Sequence, residues 1–102
     1  MKLRWTERPR RDLLEIGGYI GRDDPDLARR WVETLRDLAR KAAATPRMGR
    51  VVPEFQRTDV REVLLRSYRV VYRIREDAVD VLTVFEGHRL LDRRTLAHND
   101  PE

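Results

Sequence analysis

The sequence predicts an α+β domain in which a helical hairpin packs on one face of an antiparallel sheet, in the order strand, helix, helix, strand, strand, strand. Three observations lead there. Lys2 to Trp5 alternates polar and apolar residues; two runs with apolar residues every three or four positions follow; three runs of period two come last. With 102 residues the chain suits one core and is too short to divide into two. One domain is expected over residues 1–96, with 97–102 as a tail that frays after Leu96.

In the opening strand Leu3 and Trp5 share a face. Thr6 stands where a helix N-cap is expected, and Glu7 follows in the first turn, where the helix dipole favours a carboxylate. Leu13, Ile16 and Ile20 recur at steps of three and four, with Leu14 and Tyr19 widening the stripe, so this run is read as an amphipathic helix. Gly17-Gly18 weakens it by about 1 kcal/mol per glycine, which predicts either close packing or fraying of the second half. Asp24-Pro25 restarts a helix, as a capping carboxylate followed by a residue whose φ is already helical. Leu27, Trp31, Leu35, Leu38 and Ala42 then form its inner face, and Thr45-Pro46 ends it. Both tryptophans, Trp5 and Trp31, are expected in the core.

Pro46 to Asp59 has no sustained period and is punctuated by Pro46, Gly49 and Pro53, so it is read as an ordered loop. Three strand-like runs follow at Val60–Arg66, Tyr68–Arg75 and Val79–Glu86, with turns at Arg66-Ser67 and Glu76-Asp77. If Tyr68, Val70, Tyr72 and Ile74 face the helices, period two sends Arg69 and Arg73 to the opposite face, and Arg75 is expected with them on an open, basic surface.

Composition narrows the chemistry. Lys plus Arg outnumber Asp plus Glu by 22 to 18, a net charge of +4, and Lys2 and Lys41 are the only lysines. Arginine binds phosphate and carboxylate through a planar fork. The absence of cysteine excludes disulfide, thiolate and sulfur–metal chemistry. His88 and His98 make no convincing metal pair, and the acidic residues Glu15, Glu33, Asp80 and Glu86 are spread over separate surfaces, so neither a metal nor a cofactor is expected. The lone serine, Ser67, lies in a turn with no evident base. No apolar run approaches the roughly 18 residues of a membrane span, and the start lacks the apolar stretch of a signal peptide, so a cytoplasmic protein is expected.

Taken in order, Trp5-Thr6, Asp12-Leu13, Ile16, Tyr19-Ile20, Asp24-Pro25, Ala28, Pro46-Arg47-Met48-Gly49-Arg50, Arg61-Glu62, Tyr68-Arg69-Val70-Val71-Tyr72-Arg73, Val81-Leu82-Thr83-Val84 and Gly87-His88-Arg89 resemble the RelE/ParE superfamily of type II toxin–antitoxin toxins. The resemblance implies the fold just described and a cognate antitoxin, encoded nearby, whose acidic and apolar segment wraps the toxin in a hetero-oligomer. RelE-like members cleave messenger RNA in the ribosome; ParE-like members poison DNA gyrase.

Cleavage through a 2′-hydroxyl needs a base, an acid and cations that hold the developing charge on phosphorus. By resemblance Arg69 and Arg89 occupy phosphate-stabilising positions. The lysines that RelE-like enzymes carry on the preceding strand are replaced by Val60, Arg61 and Glu62, and no tyrosine follows Arg89. Arg61 holds a phosphate but does not surrender its proton near neutral pH; Glu62 and His88 are the substitute base and acid a nuclease would require. The ParE-like reading, with gyrase as target and no reaction of its own, is the more economical. On it Arg50, Arg69, Arg73 and Arg75 are candidate contacts to antitoxin or target. Against both stands a plain solvated strand face for Arg69 and Arg73. A nucleic-acid-binding sheet is a third reading, weakened by the lack of aromatics alternating with the basic residues.

Overall fold

The computed structural model describes residues 1–87. The tail at 97–102 and the candidates His88 and Arg89 lie outside the described residues. Strand β1 (Lys2–Trp5) leads into helix α1 (Glu7–Gly21) and helix α2 (Pro25–Ala44). A short 3-10 turn (Pro46–Met48) follows, then β2 (Arg50–Val51), β3 (Val60–Leu65), β4 (Tyr68–Ile74) and β5 (Ala78–Glu86). The sheet order is β1-β5-β4-β3-β2. Among the described strands only β1 runs parallel to its neighbour, pairing Leu3 with Val79 and Trp5 with Val81. The helices pack on one sheet face, as expected, and the edge strand β2 is an addition within the segment expected to be a loop.

The helices start and stop where their sequence signals stand, with one exchange of roles. Asp24 caps α2 by accepting from the Leu27 amide at 3.0 Å. Thr6 sits at the N-cap of α1 but makes no cap bond; its hydroxyl donates to the Val81 carbonyl at 2.7 Å and ties the helix start to β5. Gly17-Gly18 neither breaks nor frays α1. A Cβ on Gly17 would lie 3.3 Å from Val32 Cγ2, so this glycine lets α1 approach α2 closely, whereas a Cβ on Gly18 would meet nothing within 4 Å. Gly18→Ala is therefore expected to stabilise the fold by about 0.5–1 kcal/mol through helix propensity. Urea unfolding checks this, and a loss of stability would mean that the open space beside Gly18 is not open.

The main core joins Leu13, Leu35, Ala39 and Ala42 of the helices to Val63, Val70, Tyr72, Val79, Val81 and Val84 of the sheet. Tyr68, Val70, Tyr72 and Ile74 thus face the helices as their alternation predicts. Three apolar residues fall outside the expected stripes: Leu14 is 77% exposed, Tyr19 71% and Leu27 37%. Trp5 and Trp31 are half-buried, Trp5 against this core and Trp31 with its ring 5.5 Å from that of Tyr68.

A bulge resets the alternation in β5. Val71 pairs with Thr83 and Tyr72 with Val81, leaving Leu82 as the extra residue. Val79, Val81 and Val84 therefore reach the helix side, while Leu82 and Phe85 reach the other. Asp12 of α1 fastens this point, its carboxylate accepting from Thr83 Oγ1 at 2.7 Å and the Val84 amide at 2.9 Å.

The second sheet face is the principal correction. It is not open: Val52 and Phe55, from the stretch between β2 and β3, pack on Val60, Val71, Leu82 and Phe85 as a second core. The backbone of this strap folds on itself, the Val52 carbonyl accepting from the amides of Phe55 and Gln56 at 3.2 and 3.0 Å.

Candidate functional site

The arginines expected on an open basic surface are paired with carboxylates across that covered face. Arg69 is 6% exposed. Its Nε donates to Glu62 Oε1 at 2.5 Å, and its two terminal nitrogens donate to Glu54 Oε2 and Oε1 at 2.8 and 2.9 Å. The Phe85 ring centroid lies 5.1 Å from the guanidinium carbon. These hydrogen bonds, Glu54's first, outweigh desolvation and hold the guanidinium above its ordinary pKa. Burying an arginine requires such partners, since an uncompensated cation in the interior is costly.

Glu62 is fully buried in its side chain, and its second oxygen accepts from Arg50 Nε at 2.5 Å. A carboxylate with both oxygens engaged and no exposed surface is poorly placed to take a proton from a substrate hydroxyl. Arg50 keeps 58% of its side chain exposed and is the outermost member of this group.

Arg73 donates to Asp59 at 3.3 Å, and Arg57 donates to the same carboxylate at 3.0 and 2.7 Å. Arg57's hydrogen bond is the chief reason that the Asp59 carboxyl lies below its ordinary pKa. Arg75 and Arg4 both reach the buried Asp80, at 3.1 and 2.5 Å. Arg4 carries the edge strand β1, so this triad also fixes the parallel edge. Arg61 turns to backbone carbonyls instead, donating to Thr58 at 3.0 Å and to Gly49 at 2.9 Å.

The Pro46–Arg50 motif has a structural explanation in the same region. Tyr72 Oη donates to the Pro46 carbonyl at 2.6 Å and accepts from the Gly49 amide at 3.2 Å. Burial of Tyr72 raises its pKa, so it serves this loop as a neutral donor. Of the sequence-nominated residues, the fold brings Arg50, Glu62 and Arg69 together. It places Arg73 with Asp59 and Arg75 with Asp80, and turns Arg61 to the loop. Glu54, Asp59 and Asp80 are the partners that sequence reasoning missed.

A helical hairpin on one face of a five-stranded sheet with one parallel edge defines an α+β fold class. Its fold is that of a structure titled "Chromosomal ParDE TA system from P. aeruginosa", with TM-score 0.70 at 20% identity over 84% of this chain and 95% of that one. Residues 3–91 match the family profile described as ParE toxin of type II toxin-antitoxin system, parDE. A Sinorhizobium fredii protein (strain NBRC 101917 / NGR234) provisionally named toxin Y4kP is 40% identical over 93 residues, covering 86% of this chain and 90% of that protein. The chain belongs to the ParE toxin family of type II toxin–antitoxin systems.

Proposed function

We propose that this protein arrests growth by binding DNA gyrase in the cytoplasm, without cleaving RNA, and that a cognate antitoxin neutralises it. Family membership supports the toxin role, and one observation weighs for binding over catalysis: Arg69 and Glu62, needed as cation and base by a nuclease, are engaged with each other and with Glu54 and Arg50. The hairpin surface suits an acidic, apolar antitoxin segment. The exposed Leu14 lines a groove between α1 and α2 that Arg10, Arg29 and Arg36 border together with one acid, Glu33, offering apolar area beside cations that fix register.

Expression without antitoxin is expected to stop growth, and the purified protein to inhibit gyrase supercoiling while leaving message intact on programmed ribosomes. Cleavage of message in the ribosomal A site, with supercoiling unaffected, would sink the gyrase reading and favour the RelE-like one. Normal growth at good soluble expression would count against toxicity itself.

A further inference from the structure

Where β4 begins and β5 stops, two open grooves meet. One lies between α1 and the β4–β5 pair and carries Glu15, Tyr19, Tyr68 and Glu86. The other lies between α2 and the end of β3 and carries Leu27, Arg30, Trp31 and Arg66. They join through one aromatic contact, the rings of Tyr68 and Trp31 at 5.5 Å, with the Arg66 guanidinium 5.9 Å from the Trp31 ring. Burial first, then the nearby Glu86 and Tyr19, raises the Tyr68 pKa, so its ring enters this face as a neutral group. The face is thus acidic on one flank and basic on the other, with rings between. Glu15, Glu86, Arg30 and Arg66 are all exposed, and none of them forms an ion pair with another described residue. Asp12, in the same acidic groove, is engaged by Thr83 and Val84. Arg66 stands at a backbone φ of 54°, the left-handed region that glycine fills most easily, so the turn keeps an arginine here against the backbone preference. Tyr19 and Leu27, 71% and 37% exposed, add uncovered apolar area, one in each groove.

We propose that this face binds a second copy of the same chain in an isologous dimer, with Arg66 and Arg30 of each copy set against Glu86 and Glu15 of the other. The warrant is self-complementarity. A half-turn about an axis lying in the contact, across the Trp31–Tyr68 pair, lays the basic flank of one copy on the acidic flank of the other and makes both sets of contacts at once. The same operation brings the two ring pairs together and sets Tyr19 opposite Leu27. Apolar area is then buried at the centre, with charges at the rim that fix register. A partner of one charge sign would satisfy one flank and be repelled by the other, so a second copy suits this face better than an acidic or a basic segment. The α1–α2 groove that suits the antitoxin shares no lining residue with it, and the dimer depends on neither antitoxin nor gyrase.

Sedimentation velocity on the purified full chain tests this. The unmodified chain is expected to pass from monomer to dimer in the micromolar range, with association weakened by salt. Arg66→Glu and Glu86→Arg each set like charges opposite one another twice in the dimer, and each is expected to weaken self-association by about tenfold or more. Mixed in equal amounts, the two variants are expected to restore a dimer of one copy each, because every contact between the two positions then joins opposite charges. Glu76→Arg, at an exposed turn position, makes the same change in net charge as Glu86→Arg and should leave association unchanged. Circular dichroism checks that each variant is folded; should one fail, Arg30→Glu with Glu15→Arg carries the same exchange. A chain still monomeric at millimolar concentration overturns the proposal and leaves the face to a partner of other chemistry. A dimer that neither charge reversal weakens also overturns it, by placing the contact elsewhere. So does a mixture of the two variants that stays monomeric, which removes the two-fold pairing.

Discussion

Replacing Glu62 by alanine is expected to destabilise the fold by about 3–5 kcal/mol, the usual result of removing one partner from a buried ion pair. Glu62 accepts from Arg69 and Arg50 at 2.5 Å each, but the two lose unequally. Arg50 is 58% exposed and can turn to water, so its share is small; Arg69, at 7% side-chain exposure, has no such retreat for its Nε, although Glu54 still holds its terminal nitrogens. An exposed pair gives the contrast: Glu7 with Arg11, at 84% and 62% exposure, is worth only a few tenths of a kcal/mol, and Glu7→Ala should change stability by under about 0.5 kcal/mol. Urea unfolding followed by the fluorescence of Trp5 and Trp31 measures both. The double replacement Glu62→Leu with Arg69→Met is expected to recover only part of the loss, because it removes the cation along with Glu62 but takes from Glu54, 15% exposed, its two hydrogen bonds from Arg69. A cost below about 1 kcal/mol for Glu62→Ala would mean that water reaches Arg69, and the covered sheet face would then be wrong.

What the sequence could and could not disclose divides along one physical line. Period-two alternation reports which face a strand residue takes, and for Tyr68, Val70, Tyr72 and Ile74 against Arg69 and Arg73 it did so correctly. It says nothing about what covers that face. The covering strap has no periodicity, its apolar residues Val52 and Phe55 are separated by Pro53 and Glu54, and its acid Glu54 is fifteen residues from the arginine it meets. The bulge at Leu82 is equally silent, since strict alternation from Val79 would have carried Phe85 to the helices instead of beneath Arg69. Capping chemistry, by contrast, is local, and Asp24-Pro25 announced the start of α2 to the residue. In α1 a wide apolar stripe was legible, but not that Leu14 and Tyr19 lie beyond the edge of what the sheet can cover. Arginine-rich strands read as a basic surface until their non-local acids are known.

Gly49→Ala is expected to cost about 2–4 kcal/mol, as overpacking with the loss of a hydrogen bond. The backbone at Gly49 is ordinary extended chain, φ −72° and ψ 153°, which any residue adopts; the constraint is proximity. An added Cβ would stand 2.2 Å from Tyr72 Oη and 2.7 Å from the Glu62 carbonyl oxygen. Neither neighbour can yield cheaply. The carbonyl belongs to β3, and the Tyr72 ring is 1% exposed within the core, so the edge strand must part from β3 or the tyrosine must give up its bond to Pro46. Parting the edge would disturb the Arg50–Glu62 pair as well, which joins the loop motif to the buried ion network. Tyr72→Phe alone should cost about 1 kcal/mol, for the hydroxyl that bonds Pro46 and Gly49. Combined with Gly49→Ala it also removes the nearest obstacle, so the double variant is expected to be more stable than Gly49→Ala by itself. A thermodynamic cycle from urea unfolding gives the sign of that coupling; additive costs would show that the clash with the Glu62 carbonyl, and not with the hydroxyl, decides why glycine stands between the 3-10 turn and β2.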